Sequence, residues 1–369
     1  MDITTRNFFR LLRAGAFGTT EEIEPLSAWK WKRLYQLSLM QGVSALMFDG
    51  LMRCNDQFFV QLPDGLKEEW RNTTLQIADK SQSVHNQLPK LLDTFSRLQL
   101  RPMLTGTFCM SLNYDKPIHR LTESIDIYFP FQTQGRKADE WGEANGTPTK
   151  SKENHIFSYR WNEVDVKHYH QLLRLTNKLH SHALQNIIEK SIRESSPTFL
   201  TIDDIRIETL NPTLTALLSL LSISVFVINE GVPLMLLVDL GVYLRKVGDK
   251  IDFVQLQEWI DKLHLGRMAQ LSAVLMIKLF NFSEDELPFM RAKGSQDLKT
   301  VMEELFLLRR SEHNEWYFQQ GKDIFVHTAN SSAMFWQVRH SARYFRYYPT
   351  ESFTNLFAAF AHSLTHIEE

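Results

Sequence analysis

The sequence predicts an α+β protein in which a small mixed sheet, in residues 101–210, is set between helical regions at 1–100 and 211–369. Three observations predict it. Apolar residues from Leu66 to Leu98 recur in steps of three and four, the period of one helical stripe. Short runs that alternate apolar with polar residues, the period of strands, cluster between residues 101 and 170. Beyond Pro212 the chain holds two strongly apolar segments and then an amphipathic one, all of helix length.

Taken in order, Ser27 is an N-cap residue type ahead of Trp31, Leu34 and Leu37, and Gly42 stands where that helix would stop. The stripe Leu66, Trp70, Thr73, Ile77, Ser81, Val84, Leu88, Leu91, Phe95, Leu98 predicts one long helix, with Pro89 as a kink. Arg101-Pro102 ends it, because the residue before a proline is pushed out of the helical region. Met103-Leu104 reads as a short buried strand, Thr105-Gly106-Thr107 as a tight turn, and Phe108 to Leu112 as the start of a helix. Ser124 to Phe129 is a second strand. The polar stretch Gln132 to Asn154, with Gly135, Gly142, Gly146 and Pro148, predicts a loop or a short mobile helix. HIFSYRW and EVDVKHY alternate and are joined at Asn162, which predicts a hairpin.

From Leu172 onward the pattern is helical again. Thr213 to Ile228 and Gly231 to Tyr243 read as two buried core helices. Asn229, Glu230, Pro233 and Asp239 interrupt them, so neither half reaches the roughly 20 apolar residues of a membrane span. Phe253, Leu256, Trp259, Ile260 and Leu263 form the face of another helix ending near Gly266, and Met268 to Phe280 forms the next. Residues 283–330 are more polar, and the C-terminal pattern is helical until Pro349.

Composition excludes several classes of function. A net charge of −2 gives no general attraction to nucleic acid or to an anionic membrane, so phosphate binding must come from a local site. Cys54 and Cys109 are the only cysteines, which excludes a disulfide framework and a four-cysteine zinc site and predicts a reducing, cytoplasmic setting. The N-terminus lacks an uninterrupted apolar segment followed by a small-residue cleavage site, so no signal peptide is expected. No Ser-His-Asp set, P-loop or dinucleotide fingerprint occurs.

What remains is centred on LTESIDIYF, where Asp126 stands between two isoleucines. On residue pattern alone it is either the survivor of a metal-binding carboxylate pair or a polar residue on the wet side of a strand. Carboxylates at i and i+2 of a strand share a face, and a third on a neighbouring strand completes a cage for Mg²⁺. Asp165, between Val164 and Val166, is the candidate third carboxylate. A glycine followed by a small hydroxyl residue, as at Gly106-Thr107, lets a backbone approach a triphosphate closely.

With these residues, MLTGTFCMSLNYDKPIHRLTESIDIYF resembles the core motif of an uncharacterised bacterial nucleotidyltransferase family of the polymerase-β-type superfamily. That family shows Lys-Gly after leucines, a short helix, a Tyr-x-x-Pro-x-x-Arg run and Gly-Asp-Ile-Asp. Gly106, Tyr114, Pro117, Arg120, Ile125 and Asp126 stand at matching positions, with one residue inserted before Tyr114. EVDVKHYHQLL resembles the family's carboxylate hairpin, and the helical segments on either side resemble its terminal regions, so the resemblance covers most of the chain.

The resemblance implies transfer of a nucleoside monophosphate from an NTP to an unknown acceptor, assisted by Mg²⁺. Asp126 and Asp165 would be the metal ligands, and Thr105, Gly106, Thr107 and Arg120 the nucleotide-binding residues. The departures fall on ligand positions. Ser124 replaces the first carboxylate, Thr105 the lysine, Glu123 the glycine and Met235 a customary arginine. A hydroxyl does not supply a bridging carboxylate's charge, and Glu123 would join Asp126 only across a β-bulge. The alternative implied is therefore an inactive homologue, a pseudoenzyme that binds a nucleotide or a partner protein.

Other motifs have plainer readings. His168 with His170, and His180 with His182, are spaced for a shared strand face or a zinc pair, and a solvated or hydrogen-bonded pair is the simpler expectation. Arg120 reads equally as a phosphate contact or a surface ion pair. In WQVRHSARYFRYYP, Arg339, Arg343 and Arg346 alternate with aromatics at helical spacing, which predicts rings packed on a core more simply than a nucleic-acid surface.

Overall fold

A computed structural model describes residues 1–149, 155–202, 205–229, 231–290, 301 and 344–354. The chain divides into two compact units, one of Met1–Leu172 with Glu189–Asn211, the other of Leu173–Ile188 with Pro212–Glu369.

In the first unit, α1 (Ile3–Phe17) starts where the Asp2 side chain accepts the N–H of Thr5 at 2.8 Å and stops at Gly18. Helix α2 (Ala28–Met40) follows Ser27, and α3 (Ser44–Arg53) crosses α1 with backbones almost touching. A Cβ on Gly15 would lie 1.8 Å from the Leu46 carbonyl oxygen, and one on Gly50 1.9 Å from that of Leu11. Only glycine fits either position. Helix α4 (Leu66–Arg97) runs unbroken through Pro89, which costs it one N–H bond. Its buried stripe agrees with the predicted one except that Thr74 and Ala78 take the places of Thr73 and Ile77, Leu92 joins it, and Leu98 is exposed past the helix end.

The strands are β1 (Met103–Thr105), β2 (Ser124–Tyr128), β3 (Thr147–Thr149), β4 (Ile156–Trp161), β5 (Val164–Tyr169), β6 (Thr198–Ile202) and β7 (Ile205–Thr209). They form one sheet in the order β3-β4-β5-β2-β1-β7-β6. β1 pairs antiparallel with β2, whereas β2 with β5 and β1 with β7 are parallel, so the sheet is mixed and the protein is α+β. Helix α5 (Gly106–Ser111) leaves β1 directly. Asn162 and Glu163 both have positive φ, 46° and 67°, the signature of a tight two-residue hairpin turn between β4 and β5.

Each strand has two faces, because side chains alternate. One face gives Leu104, Ile125, Ile127, Tyr159, Val164 and Val166 to a core shared with Val84, Leu88, Leu91 and Phe95 of α4. The opposite face carries Thr105, Ser124, Asp126, Asp165 and Lys167, as their register pairings require.

Two expectations need correction. The stretch expected to be a loop or short mobile helix contains α6 (Gln132–Asn145), which supplies the crossover that parallel pairing of β2 with β5 demands. Its buried residues are small, Gly135, Ala138 and Gly142, so it has almost no apolar periodicity to read. Smallness is what the packing needs, since a Cβ on Gly142 would come within 2.7 Å of the Tyr159 ring. The segment after Leu172, expected to be helical, also holds β6 and β7, whose five-residue alternations follow a strong helical pattern.

Helix α7 (Lys178–Glu194) has its first residues in the second unit and its last in the first. The second unit also contains α8 (Pro212–Asn229), α9 (Leu234–Val247), α10 (Phe253–Lys262) and α11 (Gly266–Phe280). Gly266 thus opens a helix, where α10 ends four residues earlier. By length and composition α8 is apolar enough to cross a membrane, and 56% of it is buried within the structure. Of the C-terminal aromatic run, Tyr344, Tyr347 and Tyr348 are buried and Arg346 is exposed. Trp336, Arg339 and Arg343 lie outside the described residues.

Candidate functional site

The middle of the sheet presents Asp126 on β2 between Thr105 of β1 and Lys167 of β5, its register partners on either side. Two residues earlier on the same face, Ser124 is paired with Asp165. The sequence-predicted residues Thr105, Ser124, Asp126 and Asp165 are therefore neighbours, and the Gly106 turn lies beside them.

Asp126 is 5% exposed and accepts two hydrogen bonds. Ser124 Oγ donates to its Oδ1 at 2.8 Å, and the backbone N–H of Thr107 donates to the same carboxylate. Gly106 has φ 73°, a left-handed conformation that suits glycine. A Cβ there would sit 2.1 Å from Asp126 Oδ2, so the turn and the carboxylate are packed on one another. Burial raises the Asp126 pKa above its ordinary value, against the pull of the Lys167 charge, the Ser124 hydroxyl and the Thr107 amide.

Asp165 is held differently. Its register partner on β4 is Arg160, whose Nη1 lies 3.6 Å from Asp165 Oδ1 at a solvent-exposed position. The pairing of β2 with β5 runs from Ser124 to Tyr128 without a bulge, and Glu123 precedes it. Arg120 is 7% exposed and donates from Nη1 to the Leu121 carbonyl at 2.7 Å, while its own carbonyl accepts from Thr122 Oγ1. It is thus built into the segment leading to β2.

These donors do not fit a two-metal cage. One of its three carboxylate positions is a hydroxyl that donates a hydrogen bond to the second, the third is drawn toward Arg160, and a lysine flanks the centre. Among the described residues, no three of His, Cys, Asp and Glu are grouped to hold a metal ion. Cys109 offers no nucleophile, since burial pushes its thiol up to about 12.

Lys167 is the residue that sequence reasoning missed. The signal was available, because it stands at i+2 from Asp165 in EVDVKHY and so shares its face. The histidines of the first pair are hydrogen-bonded. On the core side of the sheet, His168 Nδ1 meets Asp139 Oδ1 at 2.9 Å and its Nε2 meets the Tyr159 hydroxyl at 3.2 Å. His170 Nε2 meets the other Asp139 oxygen at 3.1 Å, which makes one carboxylate of α6 the centre of both. In the second unit His180 stacks on Tyr348, while His182 is exposed.

Residues 27–281 match a protein family described as uncharacterised nucleotidyltransferase. No curated protein matches the chain. Among solved structures, an antigenic nucleotidyltransferase-like protein from Paracoccidioides brasiliensis is similar over 57% of this chain and 94% of its own, with 12% identity and a TM-score of 0.39.

Proposed function

The chain belongs to the uncharacterised nucleotidyltransferase family, and from that premise we propose that it binds a nucleotide beside the Gly106 turn without transferring it. The observation that carries this reading is the 2.8 Å hydrogen bond from Ser124 to Asp126. In a metal-assisted transfer, both positions would be anionic and would face a divalent ion. Here the hydroxyl takes up the carboxylate that the ion would need, and it brings no charge of its own. The nucleotide part of the reading is supported by the left-handed glycine, which matches the family's, by the threonines on either side of it, and by a lysine on the same sheet face.

The test is to incubate the full chain with each labelled NTP, with Mg²⁺ or Mn²⁺, and to follow both bound nucleotide and released pyrophosphate. Nucleotide retained with no pyrophosphate released is the expected result. Sustained pyrophosphate release would restore the transferase reading, and failure to retain any NTP would remove the nucleotide.

A further inference from the structure

We propose that Lys167 stands in for the divalent ion, so that the site holds the polyphosphate of a nucleoside triphosphate with a lysine ammonium and needs no metal. This rests on the nucleotide-binding reading above and specifies how the phosphates are held. Lys167 lies beside Asp126 in register, at the centre of the polar face. It is partly buried, and among the described residues its charge acts on Asp126 through space with no hydrogen bond between the two.

A lysine ammonium is a compact, strongly hydrated charge with three donors, and partly burying it with those donors untaken is costly. Its neighbour does not take those donors. Asp126 already accepts from Ser124 and Thr107, and its Oδ2 packs against Gly106. Of the other cations that the described strands place on this face, Arg160 is drawn to Asp165 and donates to the Glu163 carbonyl, 2.9 Å away, and Arg206 of β7 lies over the Phe199 ring. Lys167 is thus the cation nearest the Gly106 turn that is left for an incoming anion, beside a carboxylate that has a hydroxyl, and no second charge, at Ser124. Phosphate oxygens match an ammonium of this kind.

Calorimetric titration of the full chain with ATP, in EDTA and separately in Mg²⁺, tests the inference. Binding of similar strength in both buffers is expected. Lys167→Met, which keeps the apolar stem and removes the charge, should weaken ATP binding about tenfold or more, as loss of a charge-assisted hydrogen bond does. A thermal melt of Lys167→Met identifies a folding failure, and Lys167→Arg should then retain part of the affinity. Binding that appears only with Mg²⁺ would overturn the metal-free mode and leave the nucleotide reading standing. Unchanged affinity in a folded Lys167→Met would overturn the role of the lysine. Absence of ATP binding in both buffers would overturn the nucleotide reading itself.

Discussion

Asp126 occupies the space that a side chain on Gly106 would need. A Cβ at Gly106 would fall 2.1 Å from Asp126 Oδ2 and 2.8 Å from its Cβ, on a backbone whose φ is 73°. Gly106→Ala therefore meets two penalties. The left-handed conformation costs an L-residue about 1–2 kcal/mol, and the clash adds to it. The variant should be destabilised by at least about 2 kcal/mol in urea melts. Adding Asp126→Ala should return the steric part and leave the backbone part, so the two substitutions should be non-additive. Strict additivity would show that the contact does not exist in solution.

Ser124 is the donor that makes a buried Asp126 tolerable. Ser124→Ala leaves Oδ1 without that bond and should cost about 1–3 kcal/mol at neutral pH. The sign follows from the direction of the shift. The Asp126 pKa is raised above its ordinary 3.8, so stability is lost as pH rises from there through the folded value. Removing the hydroxyl raises that value further and widens the window. Urea melts from pH 4 to pH 8 should therefore show Ser124→Ala diverging from the parent as pH increases. A constant difference across the range would mean that the hydroxyl does not act on the carboxylate.

The framework was legible in the sequence where periodicity was strong. The α4 stripe, the β4–β5 hairpin at Asn162 and the polar face with Ser124 and Asp126 all follow from spacing alone. α6 was obscured because its buried face is made of Gly135, Ala138 and Gly142, chosen by how closely they let α6 approach Tyr159 and neighbouring side chains. The pairing of β6 with β7 was hidden by its brevity, and the β1 residues that pair with β7 stand more than a hundred residues earlier. Lys167 was overlooked for another reason. A carboxylate pattern is readable along one strand, whereas the meaning of a lysine here depends on the register that places it beside Asp126.

Asp139 should hold its two histidines apart in pKa. The bond to Asp139 raises His170, whereas burial lowers His168 in spite of the same carboxylate. Following the imidazole signals by NMR should show His170 titrating above the ordinary 6.5 and His168 below it. Asp139→Asn removes the charge, so His170 should fall toward its ordinary value and His168 should fall further. The raised His170 also contributes stability that is complete below 6.5 and is lost as pH rises through its folded value. That part of the pH dependence should vanish in Asp139→Asn. If His170 titrates unchanged in the variant, the contact does not govern it.

Glu351 allows charge to be separated from hydrogen bonding in the second unit. Its carboxylate is 1% exposed and accepts the backbone N–H groups of Thr176 and Asn177, the latter at 3.0 Å, just ahead of α7. Burial nevertheless raises its pKa, which means that the two amides do not fully offset desolvation. A folded pKa above the ordinary 4.5 makes stability fall as pH rises from 4.5 through the folded value. Glu351→Gln is neutral throughout and should flatten that fall while keeping an acceptor for one amide. Glu351→Ala keeps none, leaves both amides without their partner, and should lose about 1–3 kcal/mol in urea melts at pH 7. Equal losses in the two variants at pH 7 would assign the whole effect to the charge, because only the acceptor distinguishes glutamine from alanine here.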